Sequence, residues 1–550
     1  METIIITLDN GKKKEYVKGI KLKEVAETLK KDYPFGVICG NYNNRIINGE
    51  DTLTKSGRLS LYDINTCQGN KIYEKGLIYL FELAAIEVLG KGTSITVKHS
   101  IDRGIFCKIN KEVKEEDILK IKKLMKEKVS QKIPFVKIET SKEDAIAYFK
   151  SIKREDKART LFYNSSSYIK LYKLEDMYNY IIGDLPEDTG ILKYFDLSLI
   201  KDRGVVVRFP SVYDQGKVKK YTHHNNYFNS LEEYSNWGSN LNITNIGELN
   251  EFIINNNVGD IIQLSEIMQD YKLLNIAEQI VLNKEDYKIV LLSGPSSSGK
   301  TTTSMKLSLY LKSLGLNPTH LSIDDYFHER EETPIGVDGK PDFESLAAVD
   351  TKLFDNQVSK LLKGVKVKVP TFNFIEGRKE YKRVVELKEN DILIIEGLHA
   401  LNEDILTNIP KKKKFKVYIS PLTYLGIDND NRISMTDIRL LRRMIRDNRT
   451  RGYNPSKTLN SWRSVRDGEE KYVFPYQDNA DVIFNSSLAY ELAVLKTFAE
   501  PLLFTIKEDD PEYLTAKRLI ELLKFVLPIP SETVPQISIL REFIGGSYFE

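Results

Sequence analysis

The chain has 550 residues, room for about three or four domains, and its 41% hydrophobic content excludes a disordered or fibrous class. Its 81 basic and 78 acidic residues leave a net charge of +3, so no overall field argues for a nucleic-acid or membrane partner. The three cysteines, Cys39, Cys67 and Cys107, form no CxxC pair, which disfavours a disulfide framework and a cysteine zinc site; a reducing cytoplasm is the expected compartment.

The first residues, METIIITLDNGKKKEY, read as an alternating strand and a Gly-Lys turn rather than a signal peptide. No apolar run approaches the roughly 18 residues that span a bilayer. Residues 1–63 form a small α+β unit: a strand over 3–8, a turn at Asn10-Gly11, a strand over 14–17, helical spacing over 22–29 and a closing strand, RLSLY, over 58–62. On that pattern the unit resembles a TGS domain, the ubiquitin-like module that opens threonyl-tRNA synthetases.

Residues 64–258 carry a helix over 76–89, a strand over 94–99, its hairpin partner IDRGIFCKI and a helix over 115–128. In that order they resemble the editing domain of threonyl-tRNA synthetase. The HxxxH pair of that family falls here on Lys75 and Tyr79, and neither supplies an imidazole. The resemblance therefore carries no editing chemistry and no zinc site. His99, Cys107, His223 and His224 read as hydrogen-bonded or exposed histidines and a buried thiol. The unit is expected to bind RNA or a regulatory ligand. Residues 259–286 form a helical connector, with apolar spacing over 265–280 that should pack on the next domain.

The chemistry begins at residues 288–302, KIVLLSGPSSSGKTT. A buried strand runs into Gly294, Pro295, Ser296, Ser297, Ser298 and Gly299, and a helix starts at Lys300, Thr301 and Thr302. This is the phosphate-cradling pattern: the glycines turn backbone N–H groups toward a polyphosphate, Lys300 reaches its β/γ-phosphates, and the Thr301 hydroxyl is placed for Mg²⁺. A second strand ends in Asp324-Asp325. Asp324 can take the proton of an attacking hydroxyl, while Asp325 reads as a turn cap. Residues 342–350 offer Glu344 and Asp350 to sugar hydroxyls, and Phe372 and Phe374 can stack on a base. A third strand, DILIIEG, ends in Glu396, suited to Mg²⁺ or its water.

KKKK over 411–414 reads as a solvated loop, whereas DIRLLRRMIRDNRTRG places Arg439, Arg442, Arg443 and Arg446 at helical spacing. That row is expected to be a lid closing over the transferring phosphates.

Four ordered motifs, GPSSSGKTT, LSIDDYF, IIEG and DIRLLRRMIRD, make residues 288–503 resemble the uridine kinase and phosphoribulokinase family. The resemblance implies ATP and Mg²⁺, with Asp324 as base, Lys300 on phosphate, Thr301 and Glu396 at the metal, Glu344 at the ribose hydroxyls and Phe372 against the base. Where uridine kinases place a base-reading histidine, this chain has Gly377. Taken whole, with a tail over 510–550, the order resembles bacterial uridine kinase-like nucleoside kinases.

The expected fold is α/β, a P-loop kinase with a doubly wound parallel sheet over 287–509 preceded by two smaller α+β domains. The expected activity is phosphoryl transfer to the 5′-hydroxyl of a nucleoside, uridine or cytidine first, by a chain without membrane attachment that can form a homo-oligomer. A sugar or polyol kinase and an RNA-linked or tRNA-linked NTPase are the alternatives.

Overall fold

The computed structural model describes residues 2–550 apart from 337, 338, 340, 341, 374 and 375. The stacking role expected of Phe374 thus lies outside the described residues.

Alternation in TIIITL turns Ile4, Ile6 and Leu8 to one face of the first sheet, where Leu22 and Val25 of the short helix Leu22–Thr28 and Leu29 just after it cover them. The sheet has five strands in the order Lys13–Val17, Thr3–Leu8, Gly57–Tyr62, Cys39–Tyr42 and Arg45–Ile47, with the first and closing strands of the unit parallel.

The next unit is built round the helix Cys67–Leu89. It starts earlier than its apolar spacing predicts because Thr66 caps it, accepting from the Gly69 N–H at 3.2 Å. Every residue from Gly76 to Ala85 is buried, so the helix is a central rod rather than an amphipathic cover. A four-stranded antiparallel sheet, Asp196–Ile200, Gly204–Arg208, Gly104–Ile109 and Ile95–Ile101, packs with it.

Lys75 and Tyr79 have structural partners here. Lys75 donates to the Ile182 carbonyl, and Tyr79 to the carbonyls of Tyr172 and Met177. His99 departs from expectation: it is 4% exposed, lies beside Phe106, and neither ring nitrogen has a hydrogen-bond partner among the described residues. Burial pushes its pKa down to about 3, so the ring is held neutral.

The connector is one long helix, Val258–Leu282, and it packs where expected. Leu273, Ile276, Ala277 and Ile280 meet Val290, Leu292 and Leu307 of the following domain. That domain has a five-stranded sheet, all parallel, in the order Asn317–Ser322, Asp391–Glu396, Ile289–Ser293, Lys414–Ser420 and Val482–Asn485. Ser322, Glu396 and Leu292 stand in one register, so three strands end together and their carboxyl ends form a shared rim. Residues 510–550 are not a loose appendage. Ile539, Leu540 and Phe543 are fully buried, the last two in a core shared with Leu441, Met444 and Leu495.

Among the described residues no helix is long and apolar enough to cross a membrane.

Candidate active site

The phosphate-loop glycines are required by close approach. A Cβ on Gly294 would lie 2.0 Å from the Ile419 carbonyl oxygen, and Gly299 combines a φ of +87° with only 2.5 Å to Ile539. The helix Lys300–Ser313 then begins at once, and the Thr303 N–H makes its first internal bond, to the Gly299 carbonyl at 3.0 Å. The earlier N–H groups are left without an intrahelical partner, a setting that favours an anion. Lys300 curls over the loop, donating to the carbonyls of Gly294 at 2.9 Å and Pro295 at 3.2 Å. The Ser297 and Ser298 hydroxyls are buried without a hydrogen-bond partner among the described residues.

Around this loop the structure gathers most of the expected carboxylates. Asp324 sits in a short 3₁₀ turn, Ile323–Tyr326, directly after the strand Asn317–Ser322. Burial raises its pKa, Lys300 opposes that, and Asp325 adds to it. Glu396 accepts from the Ser322 hydroxyl at 3.0 Å, and burial together with Asp324 pushes its pKa up to about 7. Glu344 also rises to about 7, through burial and the charges of Glu469 and Asp324, against the pull of Arg443 and Lys300. Lys300, Asp324, Glu396 and Glu344 thus share one field although they come from four separate stretches of sequence. Asp325 has a different job from the expected turn cap: it accepts from the Phe372 N–H at 3.1 Å and ties the strand Val367–Asn373 to the site.

Phe372 is 5% exposed and lies edge-on to Phe327 at 5.7 Å, in the core rather than with a face open for stacking. Gly377 has its own reason to be glycine. With φ +72° it donates to the Asn373 carbonyl at 2.7 Å, and a Cβ there would meet Arg330 at 2.8 Å.

The arginine helix, Met435–Arg451, is not an open lid. Its apolar face is buried through Ile438, Leu441, Met444 and Ile445, and carboxylates of later segments pair with Arg439, Arg442 and Arg446 of the expected row. Arg442 is 0% exposed, paired with Glu491 and donating to the Ser486 carbonyl at 2.9 Å. Arg439 is paired with Glu469 and donates to the Ser296 carbonyl at 2.9 Å. Arg446 lies 3.3 Å from Asp447. Arg443 donates from Nη1 to the Ser296 hydroxyl at 2.7 Å, facing the loop. The row therefore acts as a buttress under the loop, with Arg443 as the member that reaches the Ser296 side chain.

Two further site groups have no local sequence signature. Glu469, on the helix Pro455–Tyr472, accepts from the Ser296 N–H at 2.8 Å. Glu542 accepts from the Thr302 N–H at 3.3 Å and from its hydroxyl at 3.0 Å. They stand 173 and 240 residues from their partners, beyond any motif spacing.

Among the described residues no three His, Cys, Asp or Glu side chains are grouped to hold a metal ion. The oxygen donors present, the exposed Thr301 hydroxyl and the Glu396 carboxylate, suit a hard cation such as Mg²⁺ that takes its remaining ligands from phosphate and water.

Residues 289–492 match the family described as Phosphoribulokinase / Uridine kinase family. A uridine kinase of Staphylococcus aureus strain JH9 is 25% identical over 207 residues, which is 38% of this chain and 91% of the relative, and the uridine kinase of strain Newman matches equally. A solved structure described as a possible uridine kinase from Bacillus stearothermophilus aligns with 39% of this chain and 98% of its own, at 20% identity and a TM-score of 0.26. Residues 289–492 are thus similar to the kinase domains of that family, which supports a phosphotransferase activity.

Proposed function

We propose that the chain transfers the γ-phosphoryl group of ATP to the 5′-hydroxyl of a nucleoside, uridine or cytidine first, and that Mg²⁺ assists. The observation that carries this reading is the convergence of Lys300, Asp324, Glu396 and Glu344 at the strand rim beside the phosphate loop. Magnesium, when bound, neutralises phosphate charge; Thr301 and Glu396 are the residues that would hold it.

Asp324 accepts the hydroxyl proton of the acceptor as its oxygen bonds to the γ-phosphorus. The bond from that phosphorus to the β,γ-bridging oxygen breaks, and ADP leaves with the electron pair. The raised pKa of Asp324 suits it to receive that proton. Lys300 and Arg443 face the phosphates, and Glu344 orients the acceptor through its sugar hydroxyls. The first two units serve as binding modules for RNA or a regulatory ligand.

One observation favours a second acceptor class. Phe372 is in the core and Gly377 supplies no base contact, so a sugar or polyol acceptor fits residues that read hydroxyls and do not read a base. The test is a panel of nucleosides, sugars and polyols incubated with ATP and Mg²⁺, with monophosphates detected by mass. Turnover of a sugar while every nucleoside stayed unmodified would reject the nucleoside reading.

A further inference from the structure

The carboxylate of Glu542 occupies a place that a nucleotide needs. In the helix Lys300–Ser313 the Thr302 N–H is the last one left over before internal bonding begins at Thr303. Such N–H groups are the ones a phosphate loop offers to its phosphates. Here the Thr302 N–H and hydroxyl both donate to the same oxygen of Glu542, at 3.3 and 3.0 Å.

The other carboxylate on the loop differs in kind. Glu469 is 0% exposed and shared by Arg439 and Arg466, so its charge is cancelled and its position fixed. Among the described residues the cation paired with Glu542 is Arg446, at 3.9 Å, and the Glu542 side chain keeps 16% of its surface exposed. Its charge reaches the site and helps to raise the pKa of Glu396. The backbone beneath it is held firmly. Ile539, Leu540 and Phe543 are fully buried, Arg541 donates to the carbonyls of Ser531 and Val534 at 2.8 and 2.7 Å, and Arg449 donates to the Glu542 carbonyl at 3.1 Å. The side chain can swing while its segment stays.

We propose that Glu542 is a built-in competitor for the nucleotide phosphates: its carboxylate holds the Thr302 donors when no nucleotide is bound and must rotate away for ATP to enter. Two anions cannot share the same N–H and hydroxyl, so the fraction of molecules with Glu542 docked reduces the apparent affinity for any phosphate-bearing nucleotide. This inference rests on the nucleotide reading of the loop and adds a residue that sets its affinity.

The test measures equilibrium binding of ATP, inorganic tripolyphosphate and adenosine to the full chain and to Glu542→Gln and Glu542→Ala, with Mg²⁺ present. Glutamine keeps the size of the side chain and removes its charge, so folding is preserved; alanine removes the acceptor as well. The expected result is ATP and tripolyphosphate binding about fivefold or more tighter in both variants, with alanine at least as strong as glutamine and adenosine unchanged. Equal or weaker ATP binding in both variants would overturn the proposal and make Glu542 a structural or ligand-holding group. Equal gains for adenosine and ATP would overturn it too, since the effect would then be a loosened segment. The nucleotide reading fails separately, by neither ATP nor tripolyphosphate binding to any of the three proteins, and the proposal falls with it.

Discussion

Lys157 and Asp428, 271 residues apart in sequence, meet at 3.2 Å with side chains 0% and 1% exposed. The same ammonium lies 3.0 Å from Asp430 and donates to the Tyr180 carbonyl at 3.0 Å. It is a tethered cation inside an aspartate-rich loop, joining the second unit to the loop that precedes the arginine helix. Burial opposes ionisation of Asp430, yet Arg154 and Lys157 hold its carboxyl well below the usual range. Breaking a buried pair from one side costs about 3 to 5 kcal/mol because the remaining charge stays uncompensated. Lys157→Met should therefore lower the denaturation midpoint markedly, and adding Asp428→Asn should restore part of the loss. A single variant as stable as the parent would show that the network contributes no stability.

In the proposed reaction Asp324 takes the proton of the acceptor hydroxyl. Asp324→Asn keeps the shape and removes the proton acceptor. Turnover should fall by about 10² to 10⁴, the range for a lost general base, while ATP binding persists. An asparagine variant with near-parental turnover would remove Asp324 from the proton path.

Arg442 and Arg443 are neighbours with separable roles. Arg442→Ala strands Glu491 in the core and should cost about 3 kcal/mol or more of stability. Arg443→Ala should leave the melting temperature within a few degrees and lower turnover by about 10². The assignment is wrong if Arg442→Ala melts like the parent, or if Arg443→Ala unfolds early with normal turnover per folded molecule.

Those two arginines also mark where sequence reading stops. Gly294 and Gly299 were legible because the close approaches of their loop demand glycine, and Lys300, Asp324 and Glu396 because they stand at that loop or next to strand ends. The four-residue spacing that puts Arg439 and Arg443 on one helical face was equally plain. What faces that helix was not, since Glu469, Glu491 and Glu542 belong to segments that only tertiary packing brings near. The same limit explains Phe372: an aromatic in a strand carries no mark of which side is core. The connector helix followed from periodicity and the parallel sheet from the family resemblance, whereas the start of Cys67–Leu89 was set by a single cap at Thr66. Gly377 looked like a missing histidine, and the structure adds the turn that requires it.

Glu344 carries a pH prediction with a definite sign. Burial, helped by Glu469 and Asp324, raises its pKa from 4.5 to about 7, so folding favours the neutral acid. The stability this gives is complete below the unfolded value near 4.5 and is lost as pH rises through about 7. At pH 4, below the unfolded value, the parent and Glu344→Gln should melt alike, because both are largely neutral at this position folded and unfolded. At pH 8 the parent alone holds a buried charge, and the glutamine variant should be more stable by on the order of 2 kcal/mol. In the proposed reaction the same charge serves hydroxyl recognition, since the ionised carboxylate is the better acceptor for sugar hydroxyls. KM for the acceptor found in the panel should thus fall between pH 6 and pH 8 in the parent, by roughly tenfold, and stay flat in Glu344→Gln. A parent and variant with parallel pH profiles would place the titration elsewhere and leave Glu344 out of acceptor binding.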